Sequence, residues 1–160
     1  MADIRLTGGC QCGAVRYALH AMPTRPCICY CRMCQKQCGN VFGAYAGVHF
    51  DEFELTRGEM SYFRSSDEAD RGFCAKCGTP LAYRHVDRPR IAVTIGSLDD
   101  PAKIEPEFFY GGEARVPWLI AAVAQPATTT GYNEISEWSA RIVRTNRQHP
   151  DHDTEAWPPG

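Results

Sequence analysis

Hydrophobic residues alternate with polar ones in several short stretches, a pattern typical of β-strands with one buried face. Each stretch is rich in β-branched or aromatic residues and is bounded by Gly, Pro, Asp or Ser. The positions that carry the pattern are Val15, Tyr17 and Leu19; Phe53 and Leu55; Tyr62, Phe63 and Arg64; Leu81 and Tyr83; and Ile91, Val93 and Ile95. They predict an all-β domain of several small antiparallel sheets over residues 1–130.

Helical periodicity is confined to two places. A short helix is predicted over residues 32–37, and a second one runs from Asn133, which suits an N-cap, to about residue 145. The second helix would place Ile135, Trp138 and Ile142 on one face.

The last residues predict no packed structure. Residues 149–160 contain three Pro and several acids, a composition typical of a disordered tail. His149 and His152 are therefore interpreted as solvated. With the second helix, this tail forms a C-terminal extension over residues 131–160.

Composition and charge exclude several classes of protein. The chain has 160 residues, of which 44% are hydrophobic. Its net charge of -2 argues against a nucleic-acid partner that binds through bulk charge. The longest apolar run, residues 118–124, is far shorter than the roughly 20 residues of a membrane helix. The first residues lack a signal-peptide pattern, so we expect a cytoplasmic protein with no membrane partner.

Nine cysteines are the unusual feature of the composition. An odd number without a secretory signal argues against a disulfide framework. In a reducing compartment, thiols two or three residues apart most often bind metal. The cysteines fall into three groups: Cys10 and Cys12; Cys27, Cys29, Cys31, Cys34 and Cys38; and Cys74 and Cys77.

The first and third groups predict a structural zinc site. Cys12 and Cys77 are each followed by Gly, which tolerates the positive φ that a sharp turn around an ion requires. Together with Cys10 and Cys74 they supply the four thiolates of a closed tetrahedral site. The alternatives are four buried hydrophobic cysteines or a redox dithiol pair. The redox pair usually opens a helix in a βαβ unit, which the pattern around Cys74 does not predict.

The middle group predicts a second zinc ion of a different kind. Cys29, Cys31 and Cys34 offer three thiolates, which leave the fourth position of the ion open, as in catalytic sites. A centre with a net charge of about -1 activates water poorly and prefers a further sulfur ligand, so the pattern indicates chemistry on a thiol. In the alternative interpretation, Cys27 or Cys38 completes a closed four-cysteine site, and this zinc is structural too.

Four segments of the chain resemble the glutathione-dependent formaldehyde-activating enzyme family, to whose superfamily the centromere protein V domain belongs. They are Gly-Cys-Gln-Cys-Gly-Ala-Val-Arg-Tyr at 9–17, Cys-Tyr-Cys-Arg-Met-Cys-Gln-Lys at 29–36, Arg-Gly-Phe-Cys-Ala-Lys-Cys-Gly-Thr-Pro-Leu at 71–81 and Ile-Gly-Ser-Leu-Asp-Asp-Pro at 95–101. The resemblance covers about residues 8–126. Members often carry His beside the central cysteines, where this chain has Ile28 and Tyr30.

The resemblance implies an all-β fold stapled by zinc, with two ions in each chain. It implies a structural zinc on Cys10, Cys12, Cys74 and Cys77, and a catalytic zinc on Cys29, Cys31 and Cys34. The activity it implies is that of a carbon–sulfur lyase working in the synthetic direction, which joins glutathione and formaldehyde into S-hydroxymethylglutathione. The alternatives are a non-catalytic zinc scaffold or protein-interaction module, and a family member that acts on a different thiol adduct.

Glutathione carries two carboxylates, so cationic residues should surround its binding site. Arg32 and Lys36 are nearest to the central cysteines in sequence. Other candidates are Arg64, Arg71, Lys76 and Arg84. Tyr30 lies between two of the cysteines and suits either a hydroxyl donor or a packing residue.

Overall fold

The computed structural model describes residues 5–127 and 137–157, and within them the strands form two sheets. The smaller sheet consists of β1 (Leu6–Gly9), β2 (Arg16–Leu19) and β5 (Phe53–Arg57), paired antiparallel in the order β1-β2-β5. The larger sheet consists of β3 (Thr24–Cys29), β4 (Gly43–His49), β6 (Ser61–Ser66), β7 (Ala69–Phe73), β8 (Pro80–His85), β9 (Arg90–Thr94) and β10 (Phe108–Tyr110). Its order is β10-β3-β4-β9-β8-β7-β6.

The helices are short, and the two sheets dominate the structure, which confirms the prediction of an all-β fold. They are α1 (Arg32–Cys38), α2 (Leu119–Val123) and α3 (Glu137–Thr145), with single 3-10 turns in the connections. Strand pairing is antiparallel except between β10 and β3, which run parallel with Phe108 opposite Cys27. None of the helices in the described ranges has the length and apolar character needed to cross a membrane.

The core is built from the alternating positions of the central strands. Tyr17 and Leu19 of β2, Leu81 of β8, and Ile91 and Val93 of β9 are fully buried. Burying each of these large side chains stabilises the fold by about 1.5–3 kcal/mol. The Tyr17 hydroxyl remains satisfied because it shares a 2.7 Å hydrogen bond with the Ser97 hydroxyl.

The C-terminal residues differ from the sequence-based expectation. Helix α3 lies within the stretch predicted as helical, and Trp138 and Ile142 are exposed on it. Asn133 and Ile135 fall outside the described residues. The prediction of a solvated His149 is wrong, because that side chain is only 4% exposed. His152 is exposed, as predicted.

Instead of the expected disordered tail, residues 148–157 pack against the first half of the chain. The backbone N–H of His149 donates to the Gln11 carbonyl at 2.7 Å, and the Trp157 indole N–H donates to the Cys12 carbonyl at 2.5 Å. Asp153 pairs with Arg16 at 2.8 Å. The sequence pattern does not predict this packing, because these three contacts are polar and join residues more than a hundred positions apart. The domain division at residue 130 stays a prediction.

Candidate active site

The first cysteine cluster lies where the β1–β2 turn meets the β7–β8 turn. The sulfur atoms of Cys10, Cys12, Cys74 and Cys77 lie within 4.8 Å of one another. The Cys10–Cys12 sulfur distance is 3.6 Å and the Cys12–Cys74 distance is 3.9 Å. Four sulfurs about 2.3 Å from a tetrahedral ion lie about 3.8 Å apart, so the cluster fits a zinc ion and is too open for disulfides.

The two turns of this cluster share the same backbone hydrogen bond and the same glycine conformation. The Gly13 N–H donates to the Cys10 carbonyl at 3.0 Å, and the Gly78 N–H donates to the Cys74 carbonyl at 2.8 Å. Both glycines have positive φ, 75° and 77°, which a residue with a side chain adopts only under strain. The glycine that follows each pair therefore bends the chain so that both sulfurs face one point.

The electrostatics of the first cluster favour a bound cation. Burial raises the pKa of the Cys10 thiol to about 12. Burial also opposes ionisation of Cys77, but hydrogen bonds from Thr79 and Cys12 outweigh it and lower the Cys77 pKa to about 6. Four thiolates at these distances repel one another, so a divalent ion is needed to hold all four ionised.

The second cluster lies at the junction of β3 and α1. Cys29 ends β3, Cys31 is the N-cap of α1, and Cys34 lies in its first turn. Their sulfur atoms lie within 4.8 Å of one another. Neither Cys27 nor Cys38 belongs to this group, so the geometry gives a three-sulfur cluster rather than a closed four-cysteine site.

Strand β10 and a buried glutamine hold this junction in place. Tyr110 of β10 lies opposite Cys29, and its carbonyl accepts the Tyr30 N–H at 2.8 Å. The Gln35 amide is buried and donates to the Tyr30 carbonyl at 2.7 Å and to the Ala114 carbonyl at 3.0 Å. Sequence reasoning missed Gln35, because a glutamine in a short helix gives no sign of burial.

The thiols of the second cluster differ in their ionisation. Burial raises the pKa of Cys29 to about 12. Burial also opposes ionisation of Cys31, yet the backbone N–H groups of Cys34 and Met33 and the neighbouring thiols lower its pKa. As in the first cluster, a cation is required before all three sulfurs can be thiolates.

A buried arginine contacts the second cluster from β7. The Nη1 and Nη2 atoms of Arg71 donate to the Cys34 Sγ at 3.7 and 3.6 Å, and Nη1 also donates to the Tyr45 hydroxyl at 3.3 Å. The guanidinium lies 5.3 Å from the centroid of the Tyr83 ring. Arg71 is only 3% exposed.

The three-sulfur cluster opens into a cleft of about 650 Å³. All three cysteines line it, together with Cys27, Met33, Tyr45 and Tyr83. Arg25, Arg71, Arg88 and Arg90 line it too, and among its described lining residues there is no Asp or Glu. Positive charge thus lines this cleft although the chain has a net charge of -2.

Of the cationic residues that the sequence suggests for glutathione binding, Arg71 lines this cleft and the others lie outside it. Arg64 and Arg84 form ion pairs with Asp70, and Lys76 lies over the Trp157 ring near the first cluster. Arg32 and Lys36 line an adjoining groove that also contains Arg71. Arg25, Arg88 and Arg90 were missed because β3 and the β8–β9 hairpin bring them together only in the fold.

Tyr30 has a packing role in the structure. Its side chain is 6% exposed and its ring lies edge-on to Phe42 at a centroid distance of 6.2 Å. Tyr45 lines the cleft instead, and its hydroxyl is linked to the cluster by Arg71, which donates both to this hydroxyl and to the Cys34 sulfur.

The chain is similar to known proteins over the range that contains both clusters. A model of the glutathione-dependent formaldehyde-activating enzyme family matches residues 5–111, a range that contains both cysteine clusters. A protein of Halomonas elongata, provisionally named a glutathione-dependent formaldehyde-activating enzyme, is 30% identical in an alignment of 156 positions that covers 86% of this chain and 96% of that protein. A crystal structure of a Rhodobacter sphaeroides protein shares the fold, with a TM-score of 0.52 over 66% of this chain and 99% of that chain at 20% identity.

The family match covers more than half of the chain and spans the seven cysteines of the two clusters. The chain therefore belongs to the glutathione-dependent formaldehyde-activating enzyme family.

Proposed function

We propose that the protein is a zinc-dependent carbon–sulfur lyase that works in the synthetic direction, joining glutathione and formaldehyde into S-hydroxymethylglutathione. The observation that carries the proposal is a three-sulfur cluster facing a cleft lined by arginines and without carboxylates. In this proposal Cys10, Cys12, Cys74 and Cys77 hold a structural zinc, while Cys29, Cys31 and Cys34 hold a catalytic one.

The cluster suits chemistry on a thiol. A zinc ion held by Cys29, Cys31 and Cys34 would let a bound thiol ionise well below its free pKa of about 8.5. The thiolate sulfur then adds to the carbonyl carbon of formaldehyde. A carbon–sulfur bond forms, the π electron pair moves to oxygen, and the proton lost by the thiol ends on the product hydroxyl.

The arginines of the cleft suit the remainder of glutathione. Two carboxylates on the substrate match the side chains of Arg25, Arg88 and Arg90. Arg25 and Arg90 are oriented by hydrogen bonds to the hydroxyls of Tyr110 and Thr24, which limits the entropy lost when substrate binds. Thiol and aldehyde also combine unaided, so the gain comes mainly from supplying thiolate and from proximity.

The test is zinc content together with exchange kinetics. We expect two zinc ions in the parent and one in Cys31→Ala, since removing one of three sulfurs leaves a weak two-thiolate site. NMR exchange between glutathione and formaldehyde should be accelerated by the parent and fall to the uncatalysed rate with Cys31→Ala.

Cys27→Ala is the matched control, because Cys27 lines the same cleft outside the three-sulfur group. It should retain both ions and the accelerated exchange. Loss of one ion in Cys27→Ala would instead indicate a closed four-cysteine site and a non-catalytic scaffold. A parent that binds two ions yet leaves the exchange rate unchanged would contradict the proposed reaction.

A further inference from the structure

Arg71 has a different environment from the other arginines that are buried or paired. Arg16 pairs with Asp99 and Asp153, and Arg64 and Arg84 pair with Asp70. Arg71 has no carboxylate partner among the described residues, although it is buried to 3% exposure. Both of its terminal nitrogens instead face the Cys34 sulfur.

The neighbouring acid does not supply the missing charge. Asp70 precedes Arg71 on β7, and successive side chains of a strand point to opposite faces. Asp70 is held on its own face by Arg64 at 2.6 Å and by Arg84 at 3.0 Å. A buried cation without a counter-charge is strongly unfavourable, so the charge that compensates Arg71 has to come from the cysteine cluster.

The guanidinium is also held rigidly in this position. Nη1 donates to the Tyr45 hydroxyl, and the guanidinium carbon lies over the Tyr83 ring. Its Nε is the one buried side-chain nitrogen or oxygen in the described residues without a hydrogen-bond partner. The fold therefore leaves Nε without a hydrogen bond, while both terminal nitrogens donate to the Cys34 sulfur.

We propose that Arg71 is a positioning residue of the second cluster, which holds the Cys34 sulfur in place and offsets one negative charge of the three thiolates. The inference rests on the proposed function, since it takes Cys29, Cys31 and Cys34 as ligands. Three thiolates and a divalent ion carry a formal charge of about -1, which Arg71 brings to about zero. A further thiolate then enters a neutral site rather than an anionic one, which favours its binding.

The test uses the cobalt-substituted protein, in which each sulfur–cobalt bond adds charge-transfer absorption. The probe is 2-mercaptoethanol, an uncharged thiol that makes no use of the other arginines of the cleft. Arg71→Met should weaken its binding by at least about tenfold, because a charge is lost near the cluster. Arg71→Lys should recover part of the loss, since it restores the charge without the planar fork.

Arg64→Gln is the control for removing an arginine from the adjacent strand, and it should bind the thiol like the parent. Retention of the first-cluster metal and of the melting temperature shows that each variant is folded. Competition with a chelator gives the affinity of the second metal, which should fall at least about tenfold in Arg71→Met and recover partly in Arg71→Lys.

The two proposals fail in different ways. A parent whose cobalt spectrum does not respond to thiol contradicts the proposed function, and the chelator competition still decides the role of Arg71. Equal thiol and metal affinities in the parent and Arg71→Met would overturn that role. So would an Arg71→Lys variant as weak as Arg71→Met, which would reduce Arg71 to a packing residue.

Discussion

At the scale of single residues, the arginines of the cleft differ in how they are held. Arg71 is buried against Cys34, while Arg25 lies 4.3 Å over the Phe108 ring and donates to the Tyr110 hydroxyl at 3.1 Å. Arg90 donates to the Thr24 hydroxyl, and Arg88 is exposed on the β8–β9 hairpin. Arg88 is therefore the arginine best suited to contact a carboxylate arriving from solvent.

Arg88→Gln should raise the apparent KM for glutathione by about threefold, the effect of one exposed charge pair, and leave kcat nearly unchanged. The effect should shrink at high salt, because screening acts on exposed charges. NMR exchange rates at several glutathione concentrations measure both parameters. Lys103→Gln removes an exposed charge outside the cleft and should leave the KM as in the parent. An equal rise in KM for 2-mercaptoethanol would contradict carboxylate recognition by Arg88.

The sequence predicts the sulfur atoms of the site far better than its charges. Two cysteines two or three positions apart can bind one ion wherever the chain goes, so spacing alone predicts the pair Cys10 and Cys12 and the pair Cys74 and Cys77. Arg25 and Arg88 have no such local relation. They meet only because β3, β4 and β9 are neighbours in the large sheet.

At the scale of elements, alternation predicts the strands that have one apolar face. The stretches around Tyr17, Leu81 and Val93 correspond to β2, β8 and β9. Strand β7 gives no such signal, because its residues Asp70 and Arg71 are both buried and polar. Their burial depends on partners from other strands and from α1, which a local pattern does not contain. The parallel pairing of β10 with β3 is non-local in the same way.

The turn glycines of the first cluster allow a matched comparison of elements. A Cβ at Gly13 would lie 2.1 Å from the His149 ring, whereas a Cβ at Gly78 would meet nothing within 4 Å. Gly78→Ala should cost only the strain of a positive φ, about 1 kcal/mol. Gly13→Ala should cost about 3 kcal/mol, since it also displaces the tail. Urea unfolding of the zinc-loaded proteins measures both, and equal losses would mean that the tail contributes nothing at Gly13.

At the scale of the whole molecule, an ion pair connects the two sheets. Arg16 of β2 in the small sheet donates to Asp99, which follows β9 of the large sheet, at 2.7 and 2.5 Å. Burial opposes ionisation of Asp99, but hydrogen bonds from Arg16 and Thr7 outweigh it and lower the Asp99 pKa. The pair therefore stabilises the fold above the unfolded Asp pKa of about 3.9, and its contribution is lost as the pH falls through the lower folded value.

Asp99→Asn should lower the free energy of unfolding at pH 7 by about 2 kcal/mol, the usual value of hydrogen bonds to a charged group. The difference from the parent should shrink as the pH falls from about 4 through the lower folded pKa of Asp99, because the carboxylate of the parent is then protonated as well. Urea unfolding at a series of pH values tests both statements. Asp100→Asn is the control, because its carboxylate is exposed and pairs only with exposed Lys103. A difference between parent and Asp99→Asn that grows in acid would contradict the assigned pair.

The indole of Trp157, hydrogen-bonded to the carbonyl of Cys12, gives the molecule an intrinsic optical signal. Trp118 and Trp138 are 57% and 69% exposed and emit from water, whereas Trp157 is half-buried against Lys76 and the sulfur turn. In the proposed zinc-bound protein, withdrawal of the ion from the first cluster should loosen that turn and release the indole into solvent. The blue side of the fluorescence spectrum should then report the filling of the first cluster separately from that of the second.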